Sequence, residues 1–132
     1  IFFNDRWPGF DDGIYAASRL LEIISEQENS DIVFENLPHL YSTPEINLSS
    51  SDEEKFQIVE SFKDALDFPE AKLIDIDGVR LEFPNGWGLL RASNTSPVLV
   101  LRFEAISEEE IDNIKNEFKK ILVQIGQDFE EL

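Results

Sequence analysis

The stretch GWGLLRASNTSPVLVLRFE, residues 86–104, decides how the C-terminal half of this chain folds. Two apolar runs rich in strand-forming residues, 87–91 and 98–103, flank a short polar segment that ends at Pro97. Asn85 and Gly86, just before the first run, are a strong hairpin signal. The pattern predicts two strands with a polar loop at their junction, which gives the loop a rigid mount.

The polar loop is unusually rich in hydrogen-bond donors for a chain of net charge −17. Arg91 offers a planar fork of N–H groups, Ser93 and Thr95 offer hydroxyls, and Asn94 offers an amide. Such a set suits a phosphate, because arginine can bind two phosphate oxygens at once. The alternative is a β-turn whose short polar side chains bond their own backbone.

Further elements lie on both sides of this stretch. Strands are predicted over 45–48, 72–76 and 79–83, with Asp77 and Gly78 at the tight turn between the last two. A helix is predicted from Ser51 to about Leu66, and a long final helix from Ser107. Their order predicts an α+β fold with both helices on one face of a largely antiparallel sheet. The inner helix faces are predicted to hold Phe56, Val59, Phe62 and Leu66 in the first, and Ile111, Ile114, Phe118, Ile121, Leu122 and Ile125 in the second.

The first forty residues have a different character. A helix is predicted from Asp11 to about Gln27, and a second short helical segment over 31–37. Pro38 breaks this pattern, so we expect a domain boundary near residue 40, with residues 1–40 and 41–132 in different domains. The chain has no methionine and opens on apolar residues, which we interpret as the start of an excised fragment. The apolar stripe of the first helix has then lost its native cover, so we expect this helix either to pack poorly or to dock opportunistically.

Composition limits the classes of function. The acidic balance argues against nucleic acid as a partner, because phosphate backbones need compensating cations. No apolar run approaches the roughly 20 residues of a membrane helix, and no export signal is visible. Cysteine is absent, which suits a reducing compartment, so we expect a cytoplasmic protein. The acidic triads 52–54 and 108–110 each follow a serine, which indicates capping boxes at two helix starts.

Other polar residues are weaker candidates. His39, the only histidine, lies in the predicted linker and is expected to be solvated. Asp75, Asp77 and Glu82 could gather near one edge and bind a cation there, but the sequence around them does not resemble a calcium loop. Arg102 is expected to form a structural salt bridge rather than to contact a ligand.

Residues 86–105 closely resemble the C-terminal domain of the bacterial phosphomannomutase/phosphoglucomutase family, within the α-D-phosphohexomutase superfamily. Segments 2–15, 42–47 and 77–80 resemble the same family, so the likeness covers nearly the whole chain. The resemblance implies a four-stranded, largely antiparallel sheet with two helices, preceded by the tail of an α/β domain. Asn94 resembles the mannose/glucose group, whereas relatives that act on amino sugars usually have glycine there.

The resemblance also implies an activity and a division of labour. Members of the family interconvert hexose 1-phosphate and hexose 6-phosphate through a phosphoserine, a bisphosphorylated sugar and Mg²⁺. The nucleophile and metal ligands belong to earlier domains, so we expect no catalytic or metal residue here and no activity of this fragment alone. Its expected partners are a hexose phosphate and the missing N-terminal domains. By resemblance, the substrate phosphate is bound by Arg91, Ser93, Asn94 and Thr95.

A second hypothesis needs no enzyme. The acidic surface and the sheet edge could serve a non-enzymatic module that binds another protein. Chemical-shift changes in the loop on addition of a hexose phosphate would separate the two hypotheses.

Overall fold

The computed structural model describes residues 1–35, 37–129 and 132. The chain divides into two compact units, residues 1–38 and residues 39–132. The elements in chain order are α1 Gly13–Ser25, α2 Asp31–Glu35, β1 Tyr41–Ser42, β2 Ile46–Ser49, α3 Lys55–Asp64, β3 Lys72–Ile74, β4 Val79–Phe83, β5 Gly86–Ala92, β6 Val98–Ala105 and α4 Glu108–Gln124.

The second unit is an antiparallel sheet with strand order β1-β6-β5-β4-β3, in which β2 also pairs with β6. The predicted α+β class is therefore confirmed, but a count of four strands is too low because the described residues form six. Strand β2 corresponds to the strand predicted over 45–48, whereas β1 was not predicted from the sequence. The two lie along one edge of β6 and are separated by residues 43–45.

The interruption of this edge has a local cause. Pro44 has no N–H to donate to a neighbouring strand. Thr43 compensates, because its N–H donates to the Phe103 carbonyl at 3.0 Å and its Oγ1 accepts from the Phe103 N–H at 3.1 Å. The side chain of Thr43 thus replaces a backbone acceptor, and pairing resumes at Ile46 opposite Leu101.

Alternation along β5 separates the two faces of the sheet. Gly88, Leu90 and Ala92 are buried, whereas the intervening residues are only partly buried. Leu90 pairs with Leu101 and Arg91 pairs with Val100. Because side chains alternate along a strand, Arg91 points to the face opposite the hydrophobic core.

Helices α3 and α4 cover the core face, and phenylalanines join the layers. The Phe118 ring lies 5.1 Å from the ring of Phe62 on α3 and 5.2 Å from that of Phe103 on β6. Such tilted and edge-to-face pairs stabilise beyond the area they bury. The predicted inner face of α4 is confirmed by the buried residues Ile111, Ile114, Phe118, Ile121 and Leu122, with Ile125 partly buried against them.

The predicted inner face of α3 is wrong at one position. Phe56 is 53% exposed, and Ile58 is buried instead. The buried positions are Lys55, Ile58, Val59 and Phe62, which follow the i, i+3, i+4, i+7 spacing. Because a lysine occupies the first of these buried positions, the apolar residues alone indicated Phe56 rather than Ile58 for the inner face of the helix.

Serines precede both helices as expected. Ser107 is the N-cap of α4, and its Oγ accepts from the Glu110 N–H at 3.2 Å. Ser51 Oγ accepts from the Glu54 N–H and donates to the Glu54 carboxylate, both at 3.1 Å. Residues 52–54 form a turn, so α3 starts at Lys55 rather than at Ser51.

The first unit is held together by aromatic and ionic contacts. Asp12 caps α1 by accepting from two backbone N–H groups, and the Trp7 and Tyr15 rings stack at 4.4 Å. Arg19 bonds Asp5 at 2.8 Å. No residue of α1 is buried, in agreement with the expected poor packing of its apolar stripe. Within the described ranges, no helix is both long and apolar enough to cross a membrane.

Candidate functional site

The loop at residues 93–97 is closed by backbone hydrogen bonds. The Ser93 N–H donates to the Val98 carbonyl at 3.0 Å, and the Val98 N–H donates to the Ser96 carbonyl at 2.9 Å. Ser93 Oγ accepts from the N–H groups of Thr95 and Ser96 at 3.3 and 3.2 Å. The alternative of a β-turn whose side chains bond their own backbone therefore holds for Ser93 Oγ as an acceptor. The hydroxyl hydrogen of Ser93 remains available to donate.

The other three predicted ligands are open. Arg91 is half-buried at the end of β5, and Asn94 and Thr95 are exposed. Their side chains have no hydrogen-bond or ionic partner among residues 1–35, 37–129 and 132. The five-residue loop thus contains an amide and a hydroxyl with unused donors. A guanidinium with unused donors lies next to it, at the end of β5. This arrangement is chemically able to bind a small oxyanion.

The β3–β4 turn supports the strand that presents Arg91. Gly78 has φ +84°, and a Cβ at this position would lie 2.4 Å from the Leu90 carbonyl oxygen and 2.6 Å from the Arg91 Cβ. Only glycine combines this backbone angle with such a close approach. The turn therefore packs directly on the backbone of β5 next to the loop.

A pocket of about 260 Å³ lies beside the loop, between α3 and the β3–β4 turn, and Asn94 is part of its wall. Lys63 donates to Asp75 at 2.5 Å on the rim of this pocket. This hydrogen bond lowers the pKa of Asp75 and raises the pKa of Lys63. Asp75 is therefore a paired carboxylate, not a free acid or base.

Two contacts fix the far end of the loop. The Ser50 N–H donates to the Pro97 carbonyl at 2.9 Å, and Lys55 Nζ donates to the Ser96 carbonyl at 3.0 Å. Lys55 is only 3% exposed. Sequence reasoning missed this residue, although its i, i+3, i+4, i+7 spacing with three buried apolar residues was a usable signal.

Of the three acids predicted to gather, Asp75 and Asp77 both line the pocket beside the loop, whereas Glu82 is not part of its wall. His39 is exposed. Burial alone raises the pKa of Glu82, but hydrogen bonds from Arg80 and Lys72 outweigh it and lower that pKa. No group of three or more His, Cys, Asp or Glu side chains in the described ranges could hold a metal ion.

The prediction of a salt bridge at Arg102 is wrong within the part of the chain that the structure describes. Arg102 is exposed on the face opposite the core, where it pairs in register with Leu89, and it has no acidic partner within that part. A carboxylate does lie on the same face at Glu104, two residues along β6, but no ion pair joins the two side chains.

Comparison with known proteins identifies the family to which this chain belongs. The family model of the phosphoglucomutase/phosphomannomutase C-terminal domain matches residues 45–121, more than half of the chain. The chain therefore belongs to this family. The match includes β2 to β6, the donor-rich loop and most of α4.

Individual relatives agree with the family. The chain is 50% identical over 131 residues to a phosphomannomutase/phosphoglucomutase of Pseudomonas syringae pv. tomato, covering 98% of this chain and 28% of that protein. It is 49% identical to a phosphoglucomutase of Neisseria gonorrhoeae, covering 92% of this chain and 27% of that protein. The chain thus spans little more than a quarter of the length of these relatives.

A solved structure shows the same fold. It is a phosphoglucomutase/phosphomannomutase family protein from Burkholderia thailandensis, with a TM-score of 0.79 and 39% sequence identity. The alignment covers 97% of this chain and 27% of that chain.

Proposed function

We propose that residues 41–132 are the substrate-phosphate-binding C-terminal domain of a phosphohexomutase that interconverts mannose or glucose 1-phosphate and 6-phosphate. In this proposal Arg91, Ser93, Asn94 and Thr95 hold the phosphate that does not react. Residues 1–40 are the end of a preceding α/β domain. The names of the relatives support the class of reaction.

The single observation that carries the proposal is the unpaired guanidinium of Arg91 beside a donor-rich loop. In a chain of net charge −17, an arginine without a carboxylate partner in the described ranges is a free site for a dianion. A charge-assisted hydrogen bond contributes roughly 1.5–3 kcal/mol. The loop is also rigidly mounted between β5 and β6, so little order is lost on binding.

Binding at the non-reacting end has a catalytic purpose. Interactions with a remote phosphate can hold the reacting end of the sugar in line. Because this end recognises only a phosphate, the same loop can accept the substrate in both orientations. A bisphosphorylated intermediate that must turn around requires such tolerance.

The chemical steps belong to the rest of the enzyme. The described residues bring together no carboxylate set that fits Mg²⁺, so no metal step is assigned to them. The proposal places the phosphoserine and Mg²⁺ in the N-terminal domains, and expects this fragment to be inactive alone. It places the enzyme in the cytoplasm, in keeping with a chain that lacks cysteine.

The test is a titration of the isotope-labelled chain with mannose 6-phosphate and glucose 6-phosphate, followed by backbone amide shifts. We expect saturable changes confined to residues 91–97. The Kd is expected to be millimolar or weaker, a binding free energy of about −4 kcal/mol at best, because most sugar contacts are missing. The Arg91→Ala variant is expected to lose these changes. Arg102→Ala is the matched control, since it removes another unpaired arginine of the same sheet face and is expected to retain them.

The opposite result would overturn the proposal. A loop whose amides do not respond at ligand concentrations well above the millimolar range would exclude the phosphate-binding role. Shifts on the acidic surface or the sheet edge, produced by a protein partner instead, would favour the non-enzymatic interaction module. A substrate panel on the full-length enzyme would decide between a hexose and an amino sugar.

A further inference from the structure

Lys55, the buried lysine of α3, makes a hydrogen bond to the loop that its position in the helix does not require. The side chain of Lys55 is 4% exposed and shares the inner face of α3 with Ile58, Val59 and Phe62. Lysine is almost never fully buried unless its ammonium is paired, because removing a charge from water is costly. A fully exposed lysine at a neighbouring helix position would avoid this cost, so the burial needs a compensating interaction.

The ammonium of Lys55 bridges two segments far apart in the chain. It donates to Asp52 Oδ1 at 2.6 Å and to the Ser96 carbonyl at 3.0 Å, across 41 residues of sequence. The Asp52 side chain is 70% exposed, so water hydrates this carboxylate as well. The Ser96 carbonyl also accepts from the Val98 N–H, and a carbonyl oxygen has two lone pairs for two donors. Lys55 therefore completes the hydrogen bonding of the loop at the end opposite to Arg91.

We propose that Lys55 is a positioning residue that holds the loop at residues 93–97 in its phosphate-binding shape; its kinetic consequence rests on the function proposed above. The loop has two kinds of anchor. Ser93 Oγ organises the loop from within, whereas Lys55 and the Ser50 N–H hold its carbonyls from outside. A hydrogen bond from an ionised donor is stronger than one between neutral groups, so Lys55 is the stronger external anchor.

Loss of this anchor has a defined effect on binding. If the loop spends part of its time out of the binding shape, the apparent dissociation constant rises in inverse proportion to the competent fraction. The chemical step, which takes place in other domains, is then unchanged once substrate is bound. The inference thus predicts a raised KM with a nearly constant kcat, which a general loss of stability would not produce.

The experiment compares three variants in the full-length enzyme. Lys55→Met keeps the length and the apolar stem but removes the ammonium, and Lys55→Arg keeps a cation that can reach a carbonyl. Lys120→Met is the matched control, because Lys120 bonds Glu117 at 2.6 Å with the same i,i+3 spacing as Lys55 and Asp52 but touches no part of the loop.

Two readouts are measured on each variant. For Lys55→Met we expect KM to rise about three- to tenfold, with kcat changed by less than about twofold. The Thr95 and Ser96 amides are expected to exchange with solvent about tenfold faster. Lys55→Arg is expected to restore most of both properties, and Lys120→Met to leave both unchanged.

The two proposals fail in different ways. If Arg91→Ala lowers kcat/KM but Lys55→Met changes neither KM nor amide exchange, the positioning role is overturned and the phosphate site stands. If Arg91→Ala has no kinetic effect, the proposed function fails, and amide exchange alone still tests whether Lys55 orders the loop. If both Lys55→Met and a second variant, Lys55→Gln, fail to fold, Lys55 is a core residue and the inference is overturned.

Discussion

Gly78 in the β3–β4 turn lies directly against Arg91 on the neighbouring strand. A Cβ built on Gly78 would be 2.6 Å from the Arg91 Cβ and 2.8 Å from its Cα. The strand pairing places Val79 opposite Leu90, so the turn covers the end of β5 just before the polar loop. The position of Arg91, which is proposed to bind the substrate phosphate, therefore depends on a turn in another hairpin.

Replacement of Gly78 by alanine is expected to destabilise the domain and to displace Arg91. The variant combines an unfavourable φ of +84° with a backbone clash, so we expect a loss of more than about 2 kcal/mol in the free energy of unfolding. Urea denaturation followed by circular dichroism measures this loss.

Gly126→Ala is the matched control for this prediction. Gly126 has nearly the same φ, +82°, but a Cβ added there would meet no other atom within 4 Å. This variant is expected to cost about 1 kcal/mol, the backbone cost alone. Equal losses in the two variants would show that the contact with Arg91 contributes nothing.

Removal of the Arg91 guanidinium is expected to impair the full-length enzyme. We expect Arg91→Ala to lower kcat/KM by roughly ten- to a hundredfold or more, the loss of one or two charge-assisted hydrogen bonds in the transition state. Steady-state kinetics with both hexose phosphates measures the loss. Kinetics unchanged from those of the parent enzyme, or an equal loss in Arg102→Ala, would contradict the assignment of the phosphate site to Arg91.

The core leaves no free space for a side chain at Gly88. A Cβ there would lie 2.6 Å from Phe118 Cε2, and Phe118 is fully buried between α3 and the sheet. Gly88→Ala is expected to destabilise the domain by about 1–3 kcal/mol through overpacking. Thermal or urea unfolding measures this change.

A double mutant identifies the cause of that destabilisation. Phe118→Leu removes the ring atoms that the new methyl group would meet, so the two substitutions together are expected to cost less than the sum of the single changes. Strict additivity would show that Gly88 is required for some reason other than the space occupied by Phe118.

Acid is expected to loosen the unit formed by residues 1–38. A hydrogen bond from Arg19 lowers the pKa of Asp5, and one from Arg6 lowers the pKa of Glu22. A carboxyl whose pKa is lower in the folded state stabilises that state above its ordinary pKa, 3.8 for Asp5 and 4.5 for Glu22. This stabilisation is lost as the pH falls below these values.

The NMR signals of the Trp7 and Tyr15 rings, which stack within this unit, report the transition. They are expected to stay constant above about pH 5 and to lose dispersion at lower pH. All these carboxylates are exposed to solvent, so about 0.5 M salt is expected to weaken the effect. Arg19→Gln is expected to move the transition of Asp5 back towards its ordinary pKa. A transition that this substitution does not shift would exclude the ion pair as its cause.

Much of the fold could be predicted because its signals are local. The hairpin at Asn85 and Gly86, the alternation along β5 and the apolar stripe of α4 each depend on residues a few positions apart. The donor-rich loop was identified in the same way. The divided edge formed by β1 and β2 was less predictable, because it depends on a side-chain hydrogen bond from Phe103 to Thr43, 60 residues apart.

The sequence by itself determined the α+β class, the pairing of β5 with β6 and the presence of four polar donors at one turn. These follow from backbone preferences and from hydrophobic periodicity, which neighbours along the chain express. Only the tertiary structure decided how the donors are used: Ser93 bonds its own loop, whereas Arg91 has no partner in the described part of the chain. It also brought Lys55 beneath Ser96, because burial and hydrogen-bond partners depend on which distant segments the packed core places side by side.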